Sequence, residues 1–411
     1  MRGGKETESI LSSYEALLGK KPIEAIKNKA KMFEEKSFLH VNATKFGGGV
    51  AEILQNMMAF MEELHLDVKW KAFSAPESFF QISKRMHNAL QGNMSIHFSE
   101  EEIRQFEEQA RSSFEQVNPK EDYIIIHDPQ PSPIIGQAKE RKGKWIWRCH
   151  IDTSNPNPQA WNLISKFLSM YDALIFTKLD YAKDGINNKI FQITPSINPF
   201  SMKNKDLDEK TARDIVQKFV DLDKPLITQV SRFDPWKDPL GVIDVYRKVI
   251  EKIPIRLVLL GSLAHDDPEG VEWLKKVKDY ANNDQNIHIL SNLDGVGDLE
   301  VNAFQRVSNV ILQKSLKEGF GLTVTEALWK EKPVIGGNVG GIKLQIENGV
   351  NGFLVNSIED AADKVLYLLK NPKDAIEMGK KGREKVKNEF LLNNHVDKYL
   401  DLFIDLLKNL K

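Results

Sequence analysis

The chain alternates short apolar runs with longer amphipathic segments, and it does so twice. In the first series, SFLHVNA (37–43) reads as a buried strand. Apolar positions then recur at Val50, Ile53, Leu54, Met57, Met58, Met61 and Leu64, the spacing of one helix face, with the methionines filling core space. DVKWKAF (67–73), DYIIIHD (122–128), KWIWRCHID (144–152), DALIFT (172–177) and KIFQITP (189–195) are further predicted strands. The acidic stretch 99–116 reads as a solvated helix and connector. The second series restarts with PLITQVSRF (225–233), IRLVLLG (255–261), NIHIL (286–290), NVILQK (309–314), KPVIGG (332–337) and GFLVN (352–356), with helices predicted over 239–252, 270–281 and 358–370.

Buried strands alternating with helices imply parallel sheets covered on both faces. The fold class is therefore α/β, with two doubly wound Rossmann-like domains facing across a deep cleft. The polar, proline-led region 195–224 is the predicted linker. It places an N-terminal domain over 1–215, rejoined by the C-terminal helix 392–411, and a C-terminal domain over 222–391. Ligands in such sheets lie outside the strand C-termini, so the cleft is the expected site.

Composition narrows the function classes. Among 411 residues, 57 are basic and 58 acidic, which gives no bulk field for nucleic acid or an anionic membrane. No nucleic-acid or membrane partner is expected. One cysteine, Cys149, rules out an internal disulfide and a cysteine-rich metal site. The nine histidines lack metal-ligand spacing, and no metal site is expected. The first residues are charged without an apolar signal core, and no apolar run reaches the roughly 20 residues a bilayer requires. A cytoplasmic location is the simplest expectation. Walker A, complete G-x-G-x-x-G, H-E-x-x-H and G-x-S-x-G motifs are absent.

Four segments carry candidate chemistry. In KEGFGLTVTEALWK, the Glu318-Gly319-Phe320-Gly321 turn joins a strand to a helix. The first-turn amides of Leu322 and Thr323 then form an anion site, and glycine admits a ligand close to the backbone. Glu318 could accept from sugar hydroxyls, and Glu326 from ribose hydroxyls. For either glutamate alone, a helix whose acidic first turn answers its own dipole is the plainer reading. In VSRFDPWKDP, Arg232 and Lys237 could neutralise a diphosphate, although surface cations are the plainer alternative. In FGGGVAE, the Gly47–Gly49 loop (Gly48 and Gly49 included) could bring amides to a ligand, or serve as a tight turn. In WRCHIDTSNPN, His150 and Asp152 follow a strand, where His150 could donate to a sugar hydroxyl or serve structure alone.

In sequence order these pieces resemble the retaining GT-B glycosyltransferases of family 4, over nearly the whole chain. Within it, HVNATKFGGGVAEIL, WRCHIDTSNPN and PSINPFSMKN look most like the trehalose glycosyltransferring synthases. The resemblance implies a first domain on the acceptor side and a second on the donor side. It assigns Arg232, Lys237, Glu318 and His150 to catalysis. It gives the donor to Gly48, Gly49, Gly319, Phe320, Gly321, Leu322, Thr323 and Glu326, with base contacts near Asn292 and Leu293. Asp152 and Gly49 fall on the acceptor side. One departure is visible: relatives often carry glycine before the arginine, where this chain has Ser231.

The implied reaction moves glucose from a nucleoside-diphosphate glucose, such as UDP-glucose or ADP-glucose, to free glucose. It runs by front-face transfer without a covalent enzyme intermediate. No cofactor is required, and Mg2+ is compatible but not implied; a homodimer is equally compatible. Four readings stay open beside it: a retaining trehalose phosphorylase, a family 4 transferase for another sugar, one for a lipid or polymer acceptor, and a nucleotide-sugar sensor. The nucleotide base is left open.

Overall fold

The computed structural model describes residues 9–44, 48–263 and 268–408. The chain divides into two compact units. One runs to Pro195 and resumes at Leu392, and the other is Ser196–Leu391. The sequence-based boundary at 215 is therefore corrected to 195. Within 196–215, Asn204 is fully buried and accepts from Lys330 Nζ at 2.9 Å. The helix Glu209–Val216 buries Ala212, Ile215 and Val216 in the same cluster as Phe304. Prolines and charges made this segment look like a linker, but its apolar residues recur at helical spacing.

The first unit is built on β1 (Ser37–Asn42), β2 (Asp67–Ala72), β3 (Tyr123–His127), β4 (Lys144–Arg148), β5 (Ala173–Phe176) and β6 (Lys189–Gln192). They form one parallel sheet in the order β2-β1-β3-β4-β5-β6. Strands β3 and β5 are buried at every position, as a sheet covered on both faces requires. On one face Phe38 and Tyr123 stack, and both rings lie 4.9 Å from Phe403 of the C-terminal helix Leu392–Lys408. The acidic segment is more than a solvated connector. Ser99 and Glu102 form a capping box at the start of helix Glu100–Val117, which buries Phe106, Ala110 and Val117.

The second unit is built on β7 (Leu226–Val230), β8 (Arg256–Gly261), β9 (Ile287–Ser291), β10 (Val310–Gln313), β11 (Val334–Gly337) and β12 (Gly352–Val355). These are also parallel, in the order β12-β11-β10-β7-β8-β9. Strand order reverses between the adjacent β7 and β10. In open parallel sheets, that reversal opens a crevice at the strand C-termini. Among the described residues, no helix is long and apolar enough to cross a membrane.

Candidate active site

The segments leaving β7 and β10 hold the densest group of candidate side chains. After β7, Ser231 N–H donates to Leu260 O at 2.9 Å. Arg232 is exposed and pairs with Asp234 at 3.1 Å. Asp234 caps a single 3-10 turn, Pro235–Lys237, by accepting from Lys237 N–H at 3.1 Å. Gln229 Nε2 donates to Lys237 O at 2.8 Å, which fixes the turn from below.

After β10, the chain passes through Ser315 to Glu318. Lys237 Nζ lies 2.5 Å from Glu318 Oε2, and both side chains are largely buried. The two loops are strapped together by the Leu316 N–H, which donates to Trp236 O at 2.7 Å. A buried ion pair joined to a second hydrogen bond, here Ser315 Oγ to Glu318 at 3.3 Å, is held in one geometry.

Gly321 then turns the chain with φ of 87°, and a Cβ there would lie 3.1 Å from Glu318 Cγ. A side chain would be strained by the backbone and crowded by the carboxylate. Helix Leu322–Trp329 starts from this glycine with no side-chain cap, and Val324 N–H donates to Gly321 O at 3.0 Å. The carbonyls of Phe320 and Gly321 are engaged by Gln345 Nε2 at 2.6 and 3.2 Å. The Phe320 ring packs on Phe390, centroids 5.5 Å apart, and belongs to the core.

Glu326 lies one turn further on and is buried. Its carboxylate is 3.5 Å from Gln305 Nε2 and 3.9 Å from Lys203 Nζ. Asn292 and Leu293 follow β9, two strands from β7 and so roughly 10 Å across the sheet. The Asn292 side chain holds the Leu263 N–H at 2.8 Å, while Leu293 is 72% exposed.

The glycines of Gly336–Gly341 have another cause than ligand access. A Cβ on Gly337 would sit 2.3 Å from Ser315 O, and one on Gly341 would sit 2.4 Å from Phe320 Cα. They let β11 and the segment after it close against the Glu318 turn.

In the first unit, Gly48 has φ of 77° and opens helix Gly48–Glu63, followed by Gly49; both are exposed, and Gly47 lies outside the described residues. Asp152 is buried, and its Oδ1 accepts from Ser154 N–H at 2.9 Å in a local turn. His150 follows β4, with its N–H bonded to Asp128 Oδ1 at 2.9 Å. Its Nε2 lies 2.9 Å from His127 Nδ1, and His127 Nε2 lies 2.9 Å from His40 Nδ1. Burial holds all three rings below the usual histidine range, His40 at about 3. Arg148 is fully buried beside them, and none of its side-chain nitrogens has a partner. Burial also raises Asp128 to about 7.

Sequence reasoning missed Lys203, Gln345, His127 and His40. Lys203 sat in the supposed linker. The two histidines lie near the ends of adjacent strands, and only the strand order unites them. A cavity of about 640 Å³, lined by Arg213, Lys224, Arg306 and Lys332, lies at the opposite strand ends, where Leu226 starts β7. It is separate from this site.

Comparisons with known proteins agree on the family. A family described as "Trehalose synthase, N-terminal domain" matches residues 40–183, and "Glycosyl transferases group 1" matches residues 211–385. Trehalose synthase of Thermococcus litoralis is 48% identical over 396 residues, covering 95% of this chain and 96% of the relative. That of Rubrobacter xylanophilus is 41% identical, covering 97% of each. Trehalose phosphorylase of Pleurotus pulmonarius is 26% identical over 76% of this chain and 49% of its own. Among solved structures, sucrose-phosphate synthase from Thermosynechococcus elongatus superposes with TM-score 0.72 at 16% identity, covering 91% of this chain and all (100%) of that one. Trehalose-6-phosphate synthase OtsA does so with TM-score 0.70 at 15% identity, covering 90% and 99%. The two parallel-sheet α/β units are those of the GT-B glycosyltransferase fold.

Proposed function

The chain belongs to the trehalose synthase family, and from that membership we propose that it transfers glucose from a nucleoside-diphosphate glucose to free glucose, giving trehalose with retained anomeric configuration. One observation supports this above the rest. Lys237 meets Glu318 at 2.5 Å, at the reversal of the second sheet and beside an uncapped helix start.

In this reading the diphosphate lies against the Leu322 and Thr323 N–H groups, with the helix dipole behind them. The bond from glucose C1 to the phosphate oxygen breaks, and its electron pair leaves with the diphosphate. Lys237 and Arg232 meet that developing charge, Lys237 from its pair with Glu318 and Arg232 from its pair with Asp234. The acceptor hydroxyl attacks C1 from the face the diphosphate leaves, and its proton passes to the departing phosphate oxygen. Glu318 accepts from donor hydroxyls, helped by backbone N–H groups of Gly319, Phe320 and Gly321. Glu326 takes the ribose, and the base lies near Asn292 and Leu293. His150 meets the donor sugar and Asp152 the acceptor, while Gly48 and Gly49 border the phosphates. Orientation and preplaced charge supply the rate in place of a covalent intermediate.

The phosphorylase alternative keeps the sugar chemistry but needs no ribose contact, so Glu326 favours the nucleotide donor. Incubation with several nucleotide-glucoses plus glucose tests the proposal. A non-reducing disaccharide is the expected product. Its formation only from glucose 1-phosphate, with calorimetric binding of inorganic phosphate but no nucleoside diphosphate, overturns it.

A further inference from the structure

Three histidines on adjacent parallel strands, His40 on β1, His127 on β3 and His150 just after β4, are joined end to end by two contacts of 2.9 Å. The rings are nearly parallel, inclined 26° and 19° to their neighbours. His40 and His127 are fully buried, and His150, at one end, is only partly exposed. Burial and the charge of Arg148 keep His127 and His150 neutral, and burial alone does so for His40.

A neutral imidazole has one N–H and one lone pair, so each contact needs one of each. That leaves only two arrangements for the row. Either every ring is protonated on Nδ1, with each N–H pointing toward His150, or every ring is protonated on Nε2, with each pointing toward His40. Passing between them means delivering a proton to His40 Nε2 and removing one from His150 Nδ1. His40 Nε2 is buried and has no partner. The row is therefore closed at its inner end and cannot conduct.

The same atom decides which arrangement holds. The Nε2 arrangement leaves an orphaned N–H in the core, whereas the Nδ1 arrangement leaves only an unused lone pair. Buried orphan N–H groups are the rarer defect. We infer that His127, backed by His40, is a positioning residue that locks His150 as its Nδ1–H tautomer, presenting a fixed hydrogen-bond donor to a sugar hydroxyl. The row reverses the intrinsic preference, since a free imidazole side chain in water favours the Nε2–H form. The role in transfer rests on the reading that His150 meets the donor sugar; the tautomer lock does not.

The test is long-range proton–nitrogen correlation on the full chain labelled with ¹⁵N-histidine. The wild-type His150 ring is expected as Nδ1–H, and His127→Phe as predominantly Nε2–H. His127→Asn, whose amide nitrogen overlays Nδ1 and can still donate, is expected to restore Nδ1–H. His127→Phe should lower kcat/KM for the nucleotide-glucose on the order of 10-fold, the loss of one oriented hydrogen bond, while binding of the free nucleoside diphosphate is unchanged. His127→Asn should recover most of the loss. An Nε2–H ring at His150 in the wild type overturns the inference whatever the variants do. Full transfer activity in His150→Ala overturns the sugar-contact reading instead, and leaves the tautomer result standing.

Discussion

His395, on the C-terminal helix, gives the sharpest test of how the first unit is held together. Its ring is buried, its Nδ1 donates to Thr194 O at 2.6 Å, and burial depresses it to about 3. In the unfolded chain a histidine titrates near ~6.5. The unfolded state therefore takes up the proton first as pH falls. Stability is full above ~6.5 and is lost progressively down to about 3. At pH ~5 the gap is ~1.5 units, and at ~1.36 kcal/mol per unit it amounts to about 2 kcal/mol from this one side chain. Asp128 works the other way, because its raised value keeps a proton on the folded state up to about 7. The wild-type profile alone therefore mixes opposing terms, and a difference between proteins is needed. His395→Asn keeps an amide donor toward Thr194 O but cannot titrate. At pH ~7.5 it should destabilise the first unit by about 1–2 kcal/mol through lost packing on Tyr399. At pH ~5 that deficit should shrink by about 2 kcal/mol, and the variant should match or exceed the wild type. The assay is urea unfolding at both pH values, followed by amide exchange in peptides of β4 and the C-terminal helix. A deficit that is the same at both pH values, within ~0.5 kcal/mol, refutes the argument.

Three further outcomes are expected. Lys237→Met should lower kcat by ~10²–10³-fold, because it removes preplaced charge and leaves Glu318 buried without its cation; steady-state kinetics near wild-type turnover would remove Lys237 from the mechanism. Glu326→Gln should weaken nucleoside-diphosphate binding about 10-fold by calorimetry with little change in affinity for glucose, and an unchanged Kd would remove the ribose role. Gly337→Ala should cost about 1–3 kcal/mol in a thermal melt, since its Cβ would meet Ser315 O at 2.3 Å, and an unshifted Tm would mean the strand can move aside.

The strands were readable because their apolar runs are continuous, and the Glu318–Gly321 turn because glycine and carboxylate stand together in one short segment. The reason for Gly337 and Gly341 was not readable, since it lies about 20 residues earlier in the chain, in the backbone of Ser315 and Phe320. The histidine row was hidden for a related cause. Its members are separated by 87 and 23 positions and meet only through the order β1-β3-β4. Charge misled in two places. Helix Glu100–Val117 shows an apolar stripe beneath its acidic surface, and the segment holding Lys203 looked like a linker because lysines and aspartates outnumber its buried residues.

The first unit is discontinuous in sequence, with its last helix beginning at Leu392. During synthesis, everything from Ser196 to Leu391 must leave the ribosome before that helix exists, a wait on the order of 10–40 s at ordinary elongation rates. Throughout it, Phe38, Tyr123 and the ring of His40 lack the lid that Tyr399 and Phe403 later supply. The nascent first unit therefore emerges with an oily, unfinished side, and a message truncated before Leu392 would yield a product that chaperones and proteases recognise.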